Sequence, residues 1–103
     1  MKLTWSSRAW DEYVYWQGQD RKIVKRINLL IKDIERNGSA GLGKPEPLKH
    51  RFQGFWARRI DKEHRLVYKV EEDGIFIAQC RFHYEKLSPR PRYIGCSGAV
   101  AGL

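Results

Sequence analysis

Cysteine is nearly missing from this chain: Cys80 and Cys96 are the two among 103 residues. Two are too few for a disulfide scaffold, and they lack metal-ligand spacing. The three histidines, His50, His64 and His83, do not complete a zinc site with them. Long apolar runs are missing as well. The opening Met1-Lys2-Leu3-Thr4-Trp5 has neither the apolar core of a signal peptide nor the length of a membrane anchor, so a soluble, cytoplasmic protein with no membrane partner is expected. Acidic residues are in deficit, with 12 Asp and Glu against 20 Lys and Arg, a formal charge of +8. That balance favours a polyanionic partner without choosing among RNA, DNA and a membrane surface. The chain has room for one core. Its 42% hydrophobic and 13% aromatic residues are those of a folded domain, not a disordered segment.

The positive charge is concentrated. Residues 44–69 hold eight basic side chains against three acidic ones, a net of +5. Ahead of them, residues 2–5 read as a short strand. Ser6 or Ser7 can cap a helix that carries Trp10, Tyr13, Val14 and Gln17 at helical spacing, up to about Gly18. Asp20 is a second N-cap, and Ile23, Ile27, Leu30, Ile31 and Ile34 form one face of a long amphipathic helix. Asn37-Gly38 ends it, because glycine accepts the left-handed cap at least cost. So short a link predicts a helical hairpin.

After residue 47 the period falls from 3.6 to 2. Residues 55–60, 64–70 and 75–83 are strand-like, separated by Asp61-Lys62-Glu63 and Glu71-Glu72-Asp73-Gly74. Leu66, Tyr68 and Val70 alternate with Arg65, Val67 and Lys69; Phe76, Ala78, Cys80 and Phe82 alternate with Ile77, Gln79, Arg81 and His83. If both apolar sets face one core, paired positions sum to an even number, 70 opposite 76 for example. The other face then collects Arg65, Lys69, Gln79, Arg81 and His83, and helices on one side leave it open to solvent. The parity of 55–60 is undecided, since Phe55-Ala57-Arg59 and Trp56-Arg58-Ile60 are both mixed. The expectation is an α+β domain over residues 1–84, followed by a flexible extension over 85–103 containing Ser88-Pro89-Arg90-Pro91-Arg92. Trp5, Trp10, Trp16 and Trp56 are expected to serve the core, as is Cys80.

Gly38-Ser-Ala-Gly-Leu-Gly43-Lys44 imitates the start of a phosphate-binding P-loop. The next residue is Pro45 where a Ser or Thr should hold magnesium, and the segment follows a helix instead of a strand. Nucleotide binding is rejected on both counts. A second constellation is more promising: Glu46, His83 and a group of arginines. Cleaving RNA through its own 2′-hydroxyl needs a base for that proton, a cation for the charged phosphorane and an acid for the leaving 5′-oxygen. Glu46 lies between Pro45 and Pro47, which stiffen its backbone. Histidine titrates near neutral pH and suits the acid's role, and arginine matches phosphate with paired donors. Each residue also has an ordinary reading as a solvated surface group; His50 and His64 are left with that reading.

Lys44-Pro45-Glu46-Pro47-Leu48-Lys49, Gly54-Phe55-Trp56-Ala57-Arg58-Arg59-Ile60, Glu63-His64-Arg65-Leu66-Val67-Tyr68 and Cys80-Arg81-Phe82-His83-Tyr84 together closely resemble the YoeB-type toxins of the RelE/ParE superfamily. The resemblance runs from Met1 to Tyr84. It implies a RelE-like microbial RNase fold: an N-terminal strand and a two-helix hairpin packed on a small antiparallel sheet. It also implies the toxin of a toxin–antitoxin pair, a ribosome-dependent endoribonuclease that cuts mRNA in the ribosomal A site and so inhibits translation. By that resemblance Glu46 is the general base, His83 the general acid, Arg65 the support of the transition-state phosphate, and Tyr84 a substrate-positioning residue. Lys49 and Arg59 are supporting phosphate contacts, and Lys44, Arg51, Lys69 and Arg81 complete the expected RNA-binding set. No metal or other cofactor is implied. The implied partners are the ribosome with its mRNA, a YefM-type antitoxin, DNA through the antitoxin complex alone, and a second copy in a homodimer.

Members of that family end at or just after the His-Tyr pair, whereas 19 residues follow Tyr84 here. An extension without function is the first reading; contacts of Arg90, Arg92 and Tyr93 to ribosomal RNA, or obstruction of the site, are the others. Obstruction makes a non-cleaving, basic ribosome or RNA binder the alternative function. The gyrase-poisoning branch of the superfamily disagrees with the Glu–Arg–His set.

Overall fold

The computed structural model describes residues 1–83. Tyr84 and the expected extension over 85–103 lie outside them. In chain order the elements are β1 (Lys2–Trp5), α1 (Ser7–Gln19), α2 (Arg21–Asn37), β2 (Glu46–Pro47), β3 (Trp56–Arg59), β4 (Arg65–Glu71) and β5 (Gly74–Gln79), with a single 3-10 turn at His50–Phe52. Among the described residues no helix is long and apolar enough to cross a membrane.

Both helices begin where hydroxyl or carboxylate caps were expected. Ser6 accepts the Ala9 N–H at 2.9 Å, and its hydroxyl donates to the Ala78 carbonyl at 2.9 Å, tying the start of α1 to β5. Asp20 accepts the Lys22 N–H at 3.0 Å and is the whole link between the two helices. Gly38 closes α2 with φ 62, a left-handed value that costs glycine little. All five residues of the predicted α2 stripe are buried, with Ile27 and Leu30 fully so. Each such side chain contributes roughly 1.5–3 kcal/mol by leaving water.

The buried face of α1 differs from the sequence expectation. Ala9, Glu12 and Trp16 are its buried residues, while Trp10 and Val14 are about half exposed at 49% and 46%. Trp10 instead packs edge-on to Trp5 with ring centres 5.9 Å apart, on the rim of the core. Trp5 and Trp56 are half-buried against the core and Trp16 is inside it.

The sheet order is β1-β5-β4-β3-β2. β3, β4 and β5 run antiparallel as expected; the two-residue β2, not expected as a strand, adds an antiparallel edge to β3, and β1 adds a parallel edge to β5, making the sheet mixed. Gly74 admits this close approach: a Cβ there would lie 2.0 Å from the Lys2 carbonyl oxygen.

The even register is overturned. Val70 pairs with Ile75, Lys69 with Phe76 and Tyr68 with Ile77, all odd sums. The two-residue turn Glu72-Asp73 fixes that register from Glu71 opposite Gly74. One extra residue in β5 then shifts the pairing, so that Val67 meets Gln79. This bulge explains why Ile75, Ile77 and Cys80 all reach the core although the last two are three residues apart. Phe76 and Ala78, expected inside, belong to the other face, where Ala78 packs with Leu48, Ala57 and Val67. Cys80 is buried as expected, and burial pushes its thiol well above the ordinary range.

The undecided parity of 55–60 is resolved by Arg58. Trp56, Arg58 and Ile60 turn to the helices, and Phe55, Ala57 and Arg59 to the other face. Arg58 is fully buried and bonds Asp33 Oδ2 at 2.6 Å, the Tyr68 hydroxyl, and the carbonyls of Gly38, Ala40 and Leu42. The glycine loop that imitates a P-loop therefore points carbonyls at a guanidinium, whereas a P-loop would point N–H groups at a phosphate.

Candidate active site

The helices cover one face of the sheet; the candidate site is the other. Its floor is a small apolar cluster of Leu48, Ala57 and Val67, bordered by Phe52, Phe55 and Ala78. Cross-strand register sets the polar groups around that floor, because partners in a row project to the same side. Glu46 pairs with Ala57, which pairs with Val67. Glu46 therefore stands on the floor's own face, at the β2 edge. Arg59 pairs with Arg65 two residues along the same strands. Lys69 lies two residues the other way, its ammonium 5.6 Å from the Phe55 ring centre.

Glu46 is held on a short, stiff segment. Glu46 and Pro47 pair with Ala57 and Trp56, and the Leu48 N–H donates to the Phe55 carbonyl at 2.9 Å. Lys44 (φ 52) and His50 (φ 57) are left-handed non-glycine residues on either side, costly conformations that collect where geometry serves a site. Glu46, Lys44, Lys49 and Arg51 are all exposed.

Arg65 is half-buried, and its Nη1 donates to the carbonyls of Asp61 at 2.9 Å and His64 at 3.1 Å. This anchors one side of a five-donor fork. Its backbone N–H donates to the Phe82 carbonyl at 3.1 Å, so the residue before His83 lies against Arg65. His83 follows the end of β5 and is half-buried. Glu46, Arg59, Arg65 and Lys69 thus share one face, and His83 follows directly on Phe82, whose carbonyl is bound to the Arg65 N–H. The surplus of cations there suits a polyanion: Arg59 opposite Arg65 is a like-charge pair that costs stability until an anion lies between them.

Two members of the expected set fall elsewhere. Tyr84 is outside the described residues. Arg81, placed on the open face by simple alternation, lies against α1: its guanidinium carbon is 3.8 Å from the Tyr15 ring centre and 4.5 Å from that of Phe82. The physical reason is that β5 stops at Gln79 and the chain turns through Phe82, whose φ is 68. Alternation has no meaning past that point.

Three residues near the site had no role expected from the sequence, although alternation had set Gln79 on the open face. Buried Glu12 accepts the Cys80 N–H at 2.8 Å and the Arg8 Nε–H at 3.0 Å. Burial raises its carboxyl above the usual carboxylate value, against the lowering by those two donors. Gln79 donates from Nε2 to the carbonyls of Arg81 and Phe82. His64 accepts the Phe82 N–H on Nδ1 at 2.8 Å. Glu12, with buried Ala9 and Trp16 at −3 and +4, offered a weak helical signal; His64 and Gln79 offered none. Among the described residues no group of three or more His, Cys, Asp and Glu is arranged to hold a metal ion.

Residues 5–84 match a family model described as the YoeB-like toxin of bacterial type II toxin-antitoxin systems. Toxin YoeB of Escherichia coli (strain K12) is 61% identical over 84 residues, covering 82% of this chain and 100% of the relative. The solved YoeB/ParE toxin from Agrobacterium tumefaciens is 51% identical with a TM-score of 0.79, covering 82% of this chain and 100% of its own. In the YoeB-YefM complex from Staphylococcus aureus the matching chain is 48% identical with a TM-score of 0.77, covering 82% and 98%. The YoeB dimer from Staphylococcus aureus gives 49%, a TM-score of 0.78 and the same coverage.

Proposed function

The chain belongs to the YoeB-like toxins of bacterial type II toxin–antitoxin systems, and from that membership we propose that it cuts mRNA in the ribosomal A site as a ribosome-dependent endoribonuclease. The observation that supports this reading is the sheet register, in which Glu46, Arg59 and Arg65 share one face and the Arg65 N–H bonds the carbonyl of Phe82, the residue before His83. Glu46 takes the 2′-hydroxyl proton. The 2′-oxygen attacks phosphorus, Arg65 neutralises the phosphorane, and the bond to the 5′-oxygen breaks as His83 delivers a proton to it. The products are a 2′,3′-cyclic phosphate and a 5′-hydroxyl, with no redox change and no cofactor. Tyr84 steadies the nucleotide, and Lys44, Lys49, Arg51, Arg59 and Lys69 hold flanking phosphates. Arg81, engaged against α1, leaves that set. A ribosome is needed in this scheme because Glu46, Arg59 and Lys69 are exposed on the face, and a larger surface must present the mRNA backbone to it.

The antitoxin belongs to the same proposal. The Staphylococcus aureus relative is found with YefM and as a dimer; a YefM-type antitoxin is the proposed partner here, with DNA reached through that complex and self-association in its absence. The action is placed in the cytoplasm, where ribosomes are.

The test is primer extension on mRNA in a reconstituted translation system, with and without ribosomes. The full chain is expected to give ribosome-dependent cuts that Glu46→Ala loses. Translation blocked without cuts, by the full chain and by a chain ending at Tyr84, contradicts the nuclease and leaves a non-cleaving basic ribosome binder. Cuts by the shortened chain alone assign an obstructing role to residues 85–103.

A further inference from the structure

His83 lies past the last residue of β5, so the sheet does not aim it. The chain from Cys80 to Phe82 does, and side-chain and backbone groups from three elements fasten it. From α1, Glu12 Oε1 accepts the Cys80 N–H at 2.8 Å, and Trp16 donates its indole N–H to the Cys80 carbonyl at 2.9 Å. From β5, Gln79 Nε2 donates to the carbonyls of Arg81 at 3.0 Å and Phe82 at 3.3 Å. From β4, the Arg65 N–H donates to the Phe82 carbonyl at 3.1 Å. The remaining bond is the Phe82 N–H to His64 Nδ1 at 2.8 Å. Phe82 is a bulky residue at φ 68, a conformation that persists where its surroundings over-determine it. Both of its peptide groups are therefore held by site or near-site residues.

We propose that His64 is a positioning residue for His83: its neutral ring accepts the Phe82 N–H and holds the left-handed turn from which His83 is presented beside Arg65. The proposal rests on the reading of His83 as the general acid. An Nδ1 that accepts must carry its ring proton on Nε2, and Nε2 faces Glu63 Oε1 at 4.0 Å. The ring's orientation is set independently. It stands edge-on to Trp16 at 4.8 Å and lies 6.0 Å from the Phe82 ring, while the His64 backbone N–H is bound by Asp61 Oδ1 at 2.7 Å. His64 is thus seated between α1 and the 80–82 turn, one residue before Arg65. A residue that merely filled space there would need no acceptor atom; the short bond to Nδ1 is what distinguishes the two roles.

Single-turnover cleavage on programmed ribosomes, with ribosome affinity measured separately, tests this on the full chain. His64→Leu keeps bulk and removes the acceptor; His64→Asn places an amide oxygen where Nδ1 stands. The expected result is a cleavage rate lowered on the order of 10²-fold by His64→Leu, as for other small misplacements of a reacting group, with ribosome affinity unchanged and most of the rate restored in His64→Asn. Nitrogen-15 NMR of the wild-type imidazoles is expected to find His64 as the Nε2–H tautomer, a readout that stands even if His64→Leu does not fold. Wild-type cleavage by His64→Leu, equal impairment of both variants, or an Nδ1–H tautomer overturns the proposal. A wild-type chain that does not cleave at all, with His83→Gln no different from it, contradicts the acid reading itself and takes the positioning role with it.

Discussion

Arg58 and Arg59 are adjacent, yet one is fully buried and the other exposed. Nothing in their local pattern separates them. The difference comes from Asp33, 25 residues earlier, whose carboxylate meets Arg58 at 2.6 Å. The Arg58 hydrogen bond and then the Leu42 N–H hold the Asp33 carboxyl below its ordinary value of 3.8. A carboxyl lowered in the folded state stabilises it above the unfolded value, and that stability is lost as pH falls through the folded one. The melting temperature of the wild type is therefore expected to fall more steeply below pH 3.8 than that of Asp33→Asn, which is less stable at neutral pH. Glu12 acts in the opposite sense and in another window: raised by burial from 4.5, it destabilises progressively as pH rises through its folded value. Parallel acid melting curves for wild type and Asp33→Asn contradict the assignment. His64 teaches the same lesson as Arg58. A histidine in a polar turn reads as a surface residue until a partner 18 positions away is known.

Among the elements, α2 was wholly legible, because five apolar residues at helical spacing leave one way to bury them. Ile27→Ala is expected to cost about 2–5 kcal/mol, whereas Leu29→Ala, at a position 51% exposed, leaves stability within about 0.5 kcal/mol. Equal losses in denaturant titrations contradict the packing described. The last hairpin was less legible. Both faces of 75–80 are apolar, Ile75 and Ile77 on one, Phe76 and Ala78 on the other, so alternation alone does not choose between them. The short turn at Glu72-Asp73 and the extra residue at Ala78 choose instead. The residue types of the site survived this error. Glu46 and Arg59 sit on strands whose faces do not depend on β5, and Arg65 pairs with Arg59. Arg81 did depend on it, and moved.

The whole molecule is a sheet with two unlike faces. One is sealed by the helix pair over Ile27, Leu30, Leu66, Tyr68 and Ile77; the other carries a thin apolar floor with Arg59, Arg65 and Lys69 around it. Net charge and the site's residue types were legible in the sequence, while the geometry of the 80–83 turn came only with the fold. Binding through that basic face releases counterions. If roughly five phosphates are engaged, the logarithm of the ribosome affinity is expected to fall with the logarithm of salt at a slope of about −3.5 to −4.5. A flat response removes the basic-face account. The most direct test of the central claim, RNA cleavage through the RNA's own 2′-hydroxyl on this face, is single-turnover cleavage of two mRNAs on programmed ribosomes, one all-ribose and one with a single 2′-deoxynucleotide at the scissile position. The account predicts cleavage of the first and none of the second; equal cleavage of both, or of neither, contradicts it.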